Sequence, residues 1–161
     1  MSPIRHLLAV VIVVAGSACA DDVLAPTPDA LTGRWSAVPE ALSPSGQLFR
    51  TLDFTADRRY VRTYIMRGVY PQLPADSAAV ISHEYGSYTL HGDTLFTARD
   101  SARTRDWLGG EYLEVGPPGM AIEGPPTPPV LEITPTRLTL RFMFNPGDGY
   151  HPAVEVYLRE R

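Results

Sequence analysis

The chain contains no lysine, and all 14 of its basic residues are arginines. They are outnumbered by 18 acidic residues, so the formal net charge is −4. A protein that binds a phosphate backbone carries a surplus of basic residues on one surface, and this composition argues against nucleic acid as a partner.

Cys19 is the only cysteine, which excludes a disulfide bond within the chain. A length of 161 residues accommodates one domain rather than two.

Recognisable catalytic and metal-binding motifs are also missing. The sequence has no Gly-x-Ser-x-Gly, Gly-x-Gly-x-x-Gly, Walker-type or His-Glu-x-x-His motif. His83, Glu84, His91 and Asp93 lie close together, but His83 and Glu84 point to opposite faces of a strand, and the gap to His91 fits no usual zinc spacing. We expect these residues on a solvated strand edge. The sequence therefore predicts no enzymatic activity, no metal and no cofactor.

Residues 1–18 have the pattern of a secretory signal peptide. Arg5 and His6 precede an apolar run, Leu7 to Ala15, and small residues follow it. That run is shorter than the ~20 apolar residues that a membrane-spanning helix needs. We expect residues 1–18 to direct export and then to be removed.

The segment after the leader has the composition of a linker. Residues 19–30 contain two prolines and three aspartates and offer little to bury. Such a composition favours a flexible tether. The folded domain is then expected over residues 31–161.

From Leu31 onward, apolar residues follow a period of two rather than the 3.6-residue period of a helix, which predicts an all-β domain of about eight strands. Near the C-terminus, Pro135 and Thr136 separate two alternating runs. Their apolar residues share one face of a hairpin: Leu131, Ile133, Leu138, Leu140, Phe142 and Phe144.

Gly92 and Asp93 mark a second hairpin. With these two as its loop, Leu90 faces Leu95 and Tyr88 faces Thr97. Leu90, Leu95 and Tyr88 are then expected on one face.

A third hairpin joins Leu48–Phe54 to Tyr60–Met66, and alternation leaves two registers open. A four-residue loop groups Phe54 with Val61 and Ile65. A five-residue loop groups it with a different set of side chains: Tyr60, Arg62 and Tyr64. The choice matters because a slip of one residue exchanges the two faces completely.

Two longer segments interrupt the alternating pattern. Arg67–Ile81 is expected to hold a short helical turn after Asp76, and Ser101–Pro129 is rich in glycine and proline and contains Trp107 and Tyr112. Loops of this length in a compact domain are usually functional or disordered.

Gly-Ser-Ala-Cys at 16–19 resembles the lipobox of bacterial lipoproteins. Four further segments, in this order, resemble the lipocalin-like domains of bacterial lipoproteins: Gly-Arg-Trp at 33–35, LDFTADRRY at 52–60, GSYTLHGDTL at 86–95 and YLRER at 157–161. The resemblance implies a small antiparallel up-and-down β-barrel. It also implies that Cys19 is lipidated. Gly33, Trp35 and Arg159 would close one end of the barrel, with the arginine over the indole ring.

The same resemblance implies that Phe54 and Tyr60 both point inward, which selects the five-residue loop. An inward Arg62 needs a counter-ion, and in this register a ligand carboxylate or water is expected to supply it, since Asp53 faces inward only in the other register. Placement of Arg62 on the outer surface, among the other arginines, stays open.

The expected function is that of a lipid-anchored protein of the cell envelope, on the outer rather than the inner membrane, with its domain in the periplasm or at the cell surface. Its barrel would bind a small apolar or amphipathic ligand. The candidate lining residues are Tyr60, Arg62, Tyr64, Tyr88 and Phe142. The alternative is a non-enzymatic module with a filled core that contacts another envelope protein through the loops around Trp107 and Tyr112.

Overall fold

A computed structural model of the chain describes residues 23–74, 76–115, 128–144 and 149–161. The expected leader, residues 1–18, and Cys19 lie outside the described residues. The elements are α1 (Pro28–Leu31), β1 (Gly33–Ala37), β2 (Glu40–Ala41), β3 (Gln47–Phe54), β4 (Arg59–Arg67), β5 (Ala78–His91), β6 (Thr94–Asp106), β7 (Glu111–Val115), β8 (Val130–Ile133), β9 (Arg137–Phe144) and β10 (His151–Arg159).

Eight of the described strands form a closed antiparallel barrel, which confirms the predicted fold class. The first strand closes the ring, because Trp35 in β1 pairs with Leu52 in β3 on one side and with Arg159 in β10 on the other. Around the ring the order is β1, β3, β4, β5, β6, β8, β9 and β10. Closure of this kind leaves no open sheet edge at the first and last strands.

The three predicted hairpins form in the expected registers. Phe54 pairs with Tyr60, so the first hairpin has the five-residue loop. Leu90 pairs with Leu95 across a two-residue turn, in which Gly92 has a positive φ of 63°. In the C-terminal hairpin Leu131 pairs with Leu140. Turn chemistry and the burial of one face together fix each register.

Strand structure extends further into the two long segments than the sequence predicts. No helical turn follows Asp76 among the described residues; the backbone turns there and β5 begins at Ala78. The segment from Ser101 continues β6 to Asp106, and β7 pairs back along it, with Arg105 opposite Glu111. The prediction of loops was wrong here because main-chain pairing with a neighbouring strand tolerates polar residues such as those of β6.

The folded part also begins earlier than the expected boundary at Leu31. The Leu24 amide donates to the carbonyl of Ile133 at 2.6 Å, and Leu31 is completely buried. Thr27 caps α1 by accepting from the Ala30 amide at 3.1 Å, and Pro28 follows at the first helical position. Residues 24–30 are therefore packed against the barrel rather than part of a free tether.

Candidate functional site

The inward-facing side chains divide the barrel interior into two halves. One half, called the closed half, is filled by a cluster of side chains that are each at most 5% exposed: Trp35, Leu52, Phe54, Tyr60, Tyr88, Leu95, Leu131, Ile133, Leu138, Leu140 and Tyr157. The other, called the open half, is lined by partly exposed residues: Leu48, Arg50, Arg62, Tyr64, Met66, Val80, Ser82, Glu84, Phe142, Ala153 and Glu155. Solvent therefore reaches the inward side chains of the open half from that end of the barrel.

A set of hydrogen bonds to the end of α1 seals the closed half. The Trp35 indole is fully buried and donates through Nε1 to the carbonyl of Leu31 at 2.8 Å. Arg159 donates to the carbonyls of Thr32 at 2.9 Å and Ala30 at 2.5 Å. These carbonyls, at and just after the helix end, lack intrahelical partners, so the two side chains satisfy acceptors that would otherwise be buried unpaired.

Arg159 also lies over the Trp35 ring, with Cζ 4.1 Å from the ring centroid. Gly33 has a φ of 124°, and a Cβ built on it would lie 3.3 Å from Nη1 of Arg159. Glycine at this position therefore gives the guanidinium room beside the backbone. The three residues named from the Gly-x-Trp resemblance thus meet at the closed end.

Arg62 lies in the open half, between two acidic side chains. Register places it opposite Glu84 of β5, and Glu155 enters from β10 on the far side. Its Nε is buried, and no described residue accepts a hydrogen bond from it. The outer-surface placement left open by the sequence is wrong, and so is the expectation that the protein offers no internal counter-ion.

Hydrogen bonds join the surrounding polar groups into a cluster. The Tyr60 hydroxyl donates to Oε1 of Glu84 at 2.6 Å, and the Tyr157 hydroxyl donates to Oε2 of Glu155 at 2.8 Å. Arg50 donates to Oε1 of Glu155, also at 2.8 Å. We call the set the polar cluster: Arg50, Arg62, Glu84 and Glu155 with Tyr60, Tyr64 and Tyr157.

The cluster keeps its phenols neutral and Arg62 charged. Burial raises the pKa of Tyr60 above its ordinary value, and the hydrogen bond to Glu84 raises it further. Burial and the charge of Glu155 raise the pKa of Tyr157 in the same way. For Arg62, burial alone lowers the pKa, but interaction with Tyr64 and Glu84 outweighs it and leaves the pKa raised. Tyr60 and Tyr157 therefore act as hydrogen-bond donors to the two carboxylates.

The five candidate lining residues do not all reach the same space. Arg62, Tyr64 and Phe142 lie in the open half. Tyr88 lies in the filled closed half, where its ring packs edge-on against Phe54 with centroids 5.1 Å apart. Tyr60 is buried at the boundary and contributes its hydroxyl to the polar cluster.

Sequence reasoning missed the acidic members of the cluster. Glu84 was expected on a solvated strand edge with His83; instead it faces inward, because it is in phase with Tyr88 along β5. Glu155 is in phase with Tyr157 and Arg159 in the same manner. Each acid lies an even number of residues from a buried tyrosine in the same strand, so both side chains face inward, and this spacing could have located both acids.

Aromatic and aliphatic side chains surround the mouth of the open half. The Tyr70 and Trp107 rings lie 5.5 Å apart, on the loops that follow β4 and β6. Tyr70 is 39% exposed, Trp107 38% and Leu108 74%. Apolar groups this exposed at one end of a barrel are typical of a contact or entry surface.

Nowhere in the described ranges do three or more His, Cys, Asp or Glu side chains come together as they would around a metal ion. Within the same part of the chain, no helix has the length and hydrophobicity of a membrane span. A search of protein-family models and of curated proteins finds no match to the chain.

Proposed function

We propose that the protein is a lipid-anchored lipoprotein of the cell envelope, of the lipocalin-like type, whose barrel binds a small apolar or amphipathic molecule. The observation that carries the proposal is the contrast between the two halves of the interior. One half is packed and sealed by α1, whereas inward side chains of the other half keep accessible surface. Barrels of about eight strands either fill their interior or hold one small ligand, and a half-filled interior favours the second use.

The lining of the open half matches an amphipathic molecule. Arg62 lies near the centre of the barrel, and no described residue accepts a hydrogen bond from its Nε. Towards the mouth the lining becomes apolar, with Leu48, Met66, Val80 and Phe142. A ligand would place its polar end against Arg62 and its apolar part towards the mouth, as in binding sites with few polar groups in an apolar pocket.

Filling the open half tests ligand binding. Ala153 faces inward opposite Phe142, and Val154, the next residue, faces outward and is 54% exposed. Ala153→Trp should abolish the fluorescence increase of an uncharged apolar dye such as N-phenyl-1-naphthylamine, and Val154→Trp should preserve it. Equal dye binding by the two variants would contradict the proposal.

The proposed anchor has a geometric consequence. Cys19 precedes Leu24 by five positions, and the Leu24 amide is bonded to Ile133 at the closed end. An extended chain of this length spans at most about 18 Å. A lipid on Cys19 would hold the closed end near its membrane, with the mouth directed away.

The anchor is tested by following a labelled fatty acid into the protein. In cells supplied with an alkyne-tagged palmitate, the full chain should become labelled and partition with membranes, whereas Cys19→Ser should remain unlabelled. Labelling of Cys19→Ser would show that the lipid, if any, is attached elsewhere.

The exposed apolar mouth favours a second candidate function, a module that contacts another envelope protein. Tyr70, Trp107 and Leu108 form a surface of the kind that protein interfaces use. Trp107→Ser together with Leu108→Ser should then abolish co-purification of a partner while leaving dye binding intact.

A further inference from the structure

We infer that the ligand's polar end is uncharged, such as an alcohol, ester or amide group, rather than a carboxylate or phosphate. This inference rests on the proposed function, because it concerns the same open half. It is drawn from the charge balance and the unused hydrogen-bonding positions of the polar cluster.

The charges of the polar cluster already balance. Arg50 and Arg62 carry two positive charges, and Glu84 and Glu155 carry two negative ones. The bond from Arg50 to Glu155 is 2.8 Å long, and the guanidinium of Arg50 is 20% exposed against 17% for that carboxylate. Glu40 at the mouth is a further acid bonded to Arg50, at 2.7 Å. Arg99, which faces the interior beside Gly86, is engaged in an interaction of its own.

A ligand anion would upset this balance. With Glu40 and Arg99 included, three acids face three bases, so an anion placed against Arg62 would be a fourth acid. Glu84 and Glu155 would repel it at close range. Charges in a poorly solvated interior interact much more strongly than in water. Repulsion from the two acids would therefore offset much of the favourable interaction free energy between an anion and Arg62.

The open hydrogen-bonding positions instead suit a group that both accepts and donates. Arg62 supplies donors, since no described residue accepts from its Nε. Glu84 supplies an acceptor: its Oε1 is used by Tyr60, and no described residue donates to its Oε2. A hydroxyl or primary amide placed between the two satisfies both without adding charge.

The test compares ligands that share one alkyl chain and differ in the polar end. Decanol, decanamide and decanoate displace a bound apolar dye from the wild-type protein at pH 8, where decanoate is ionised. The two neutral ligands should bind at least about tenfold more tightly than decanoate, a factor that corresponds to 1.4 kcal/mol. Equal or tighter binding of decanoate would overturn the inference. Absence of binding by the dye and by all three ligands would instead remove the proposed binding function.

A charge-changing variant shows whether the polar cluster sets the preference. Glu84→Gln keeps an acceptor for Tyr60 and leaves Arg62 in excess, so the preference should shift about tenfold towards decanoate. Glu132→Gln removes the same charge from the outer face, where Glu132 pairs with Arg137 and Arg141, and should leave the preference unchanged. The same shift in both variants, or in neither, would contradict the role given to the cluster.

Discussion

Replacement of Trp35 by alanine tests the seal of the closed half. The indole is completely buried, donates to Leu31 at 2.8 Å, and lies under the Arg159 guanidinium. Removal of a buried tryptophan side chain costs about 3–5 kcal/mol, because transfer free energy and packing are lost together. In a domain of this size each kcal/mol lowers the melting temperature by about 2–4 °C. We expect Trp35→Ala to melt roughly 10 °C or more below the wild type.

The assay is urea unfolding followed by circular dichroism, with thermal melts as a second readout. Trp107→Ala is the matched control, since Trp107 is 38% exposed at the mouth, and it should change the free energy of unfolding by less than about 1 kcal/mol. If Trp35→Ala costs less than about 1 kcal/mol, or no more than Trp107→Ala, the indole does not seal the barrel.

Three further predictions concern the interior. Arg62→Met should destabilise the fold by about 3 kcal/mol, because Glu84 loses the base that lies opposite it, and adding Glu84→Gln should recover part of that loss in urea unfolding. Gly86→Ala should lower the free energy of unfolding by at least about 2 kcal/mol, since its Cβ would lie 2.5 Å from the Tyr60 ring. Gly92→Ala meets no atom within 4 Å and should lower it by about 1 kcal/mol, because Gly92 has a positive φ. A larger loss at Gly92 than at Gly86 would refute this reasoning. Above pH 10 the unfolded chain releases a phenolic proton that Tyr60 retains when folded. Tyr60 alone should therefore lower the free energy of unfolding by up to about 1.4 kcal/mol per pH unit, and the total fall with rising pH should be less steep in Tyr60→Phe.

Much of the barrel could be predicted from short-range pattern. Two-residue alternation from Leu131 to Phe142 located a hairpin whose register is fixed by burial of one face. The Gly92–Asp93 turn was recognisable because a two-residue hairpin loop requires a residue that accepts positive φ. Such features depend on neighbours in sequence, which is why sequence reasoning reaches them.

The site was less predictable because it depends on partners far apart in sequence. Arg50 donates a hydrogen bond to Glu155, which lies 105 residues further along the chain, and neither local sequence indicates that the two residues pair. The entry into α1 was overlooked for a different reason. Thr27 is the N-cap, and Pro28 and Asp29 lie in the first turn, which is a favourable start for a helix. The same residue types are also common in flexible linkers, so the sequence was interpreted as a tether.

Native mass spectrometry of the protein purified from the cells that produce it measures most directly whether the open half holds a ligand. We expect a folded chain that carries one small molecule with an uncharged polar end, which is released on unfolding and is absent from Ala153→Trp. A wild-type chain that carries nothing, and that also fails to bind neutral alkyl ligands added to it, would contradict the account.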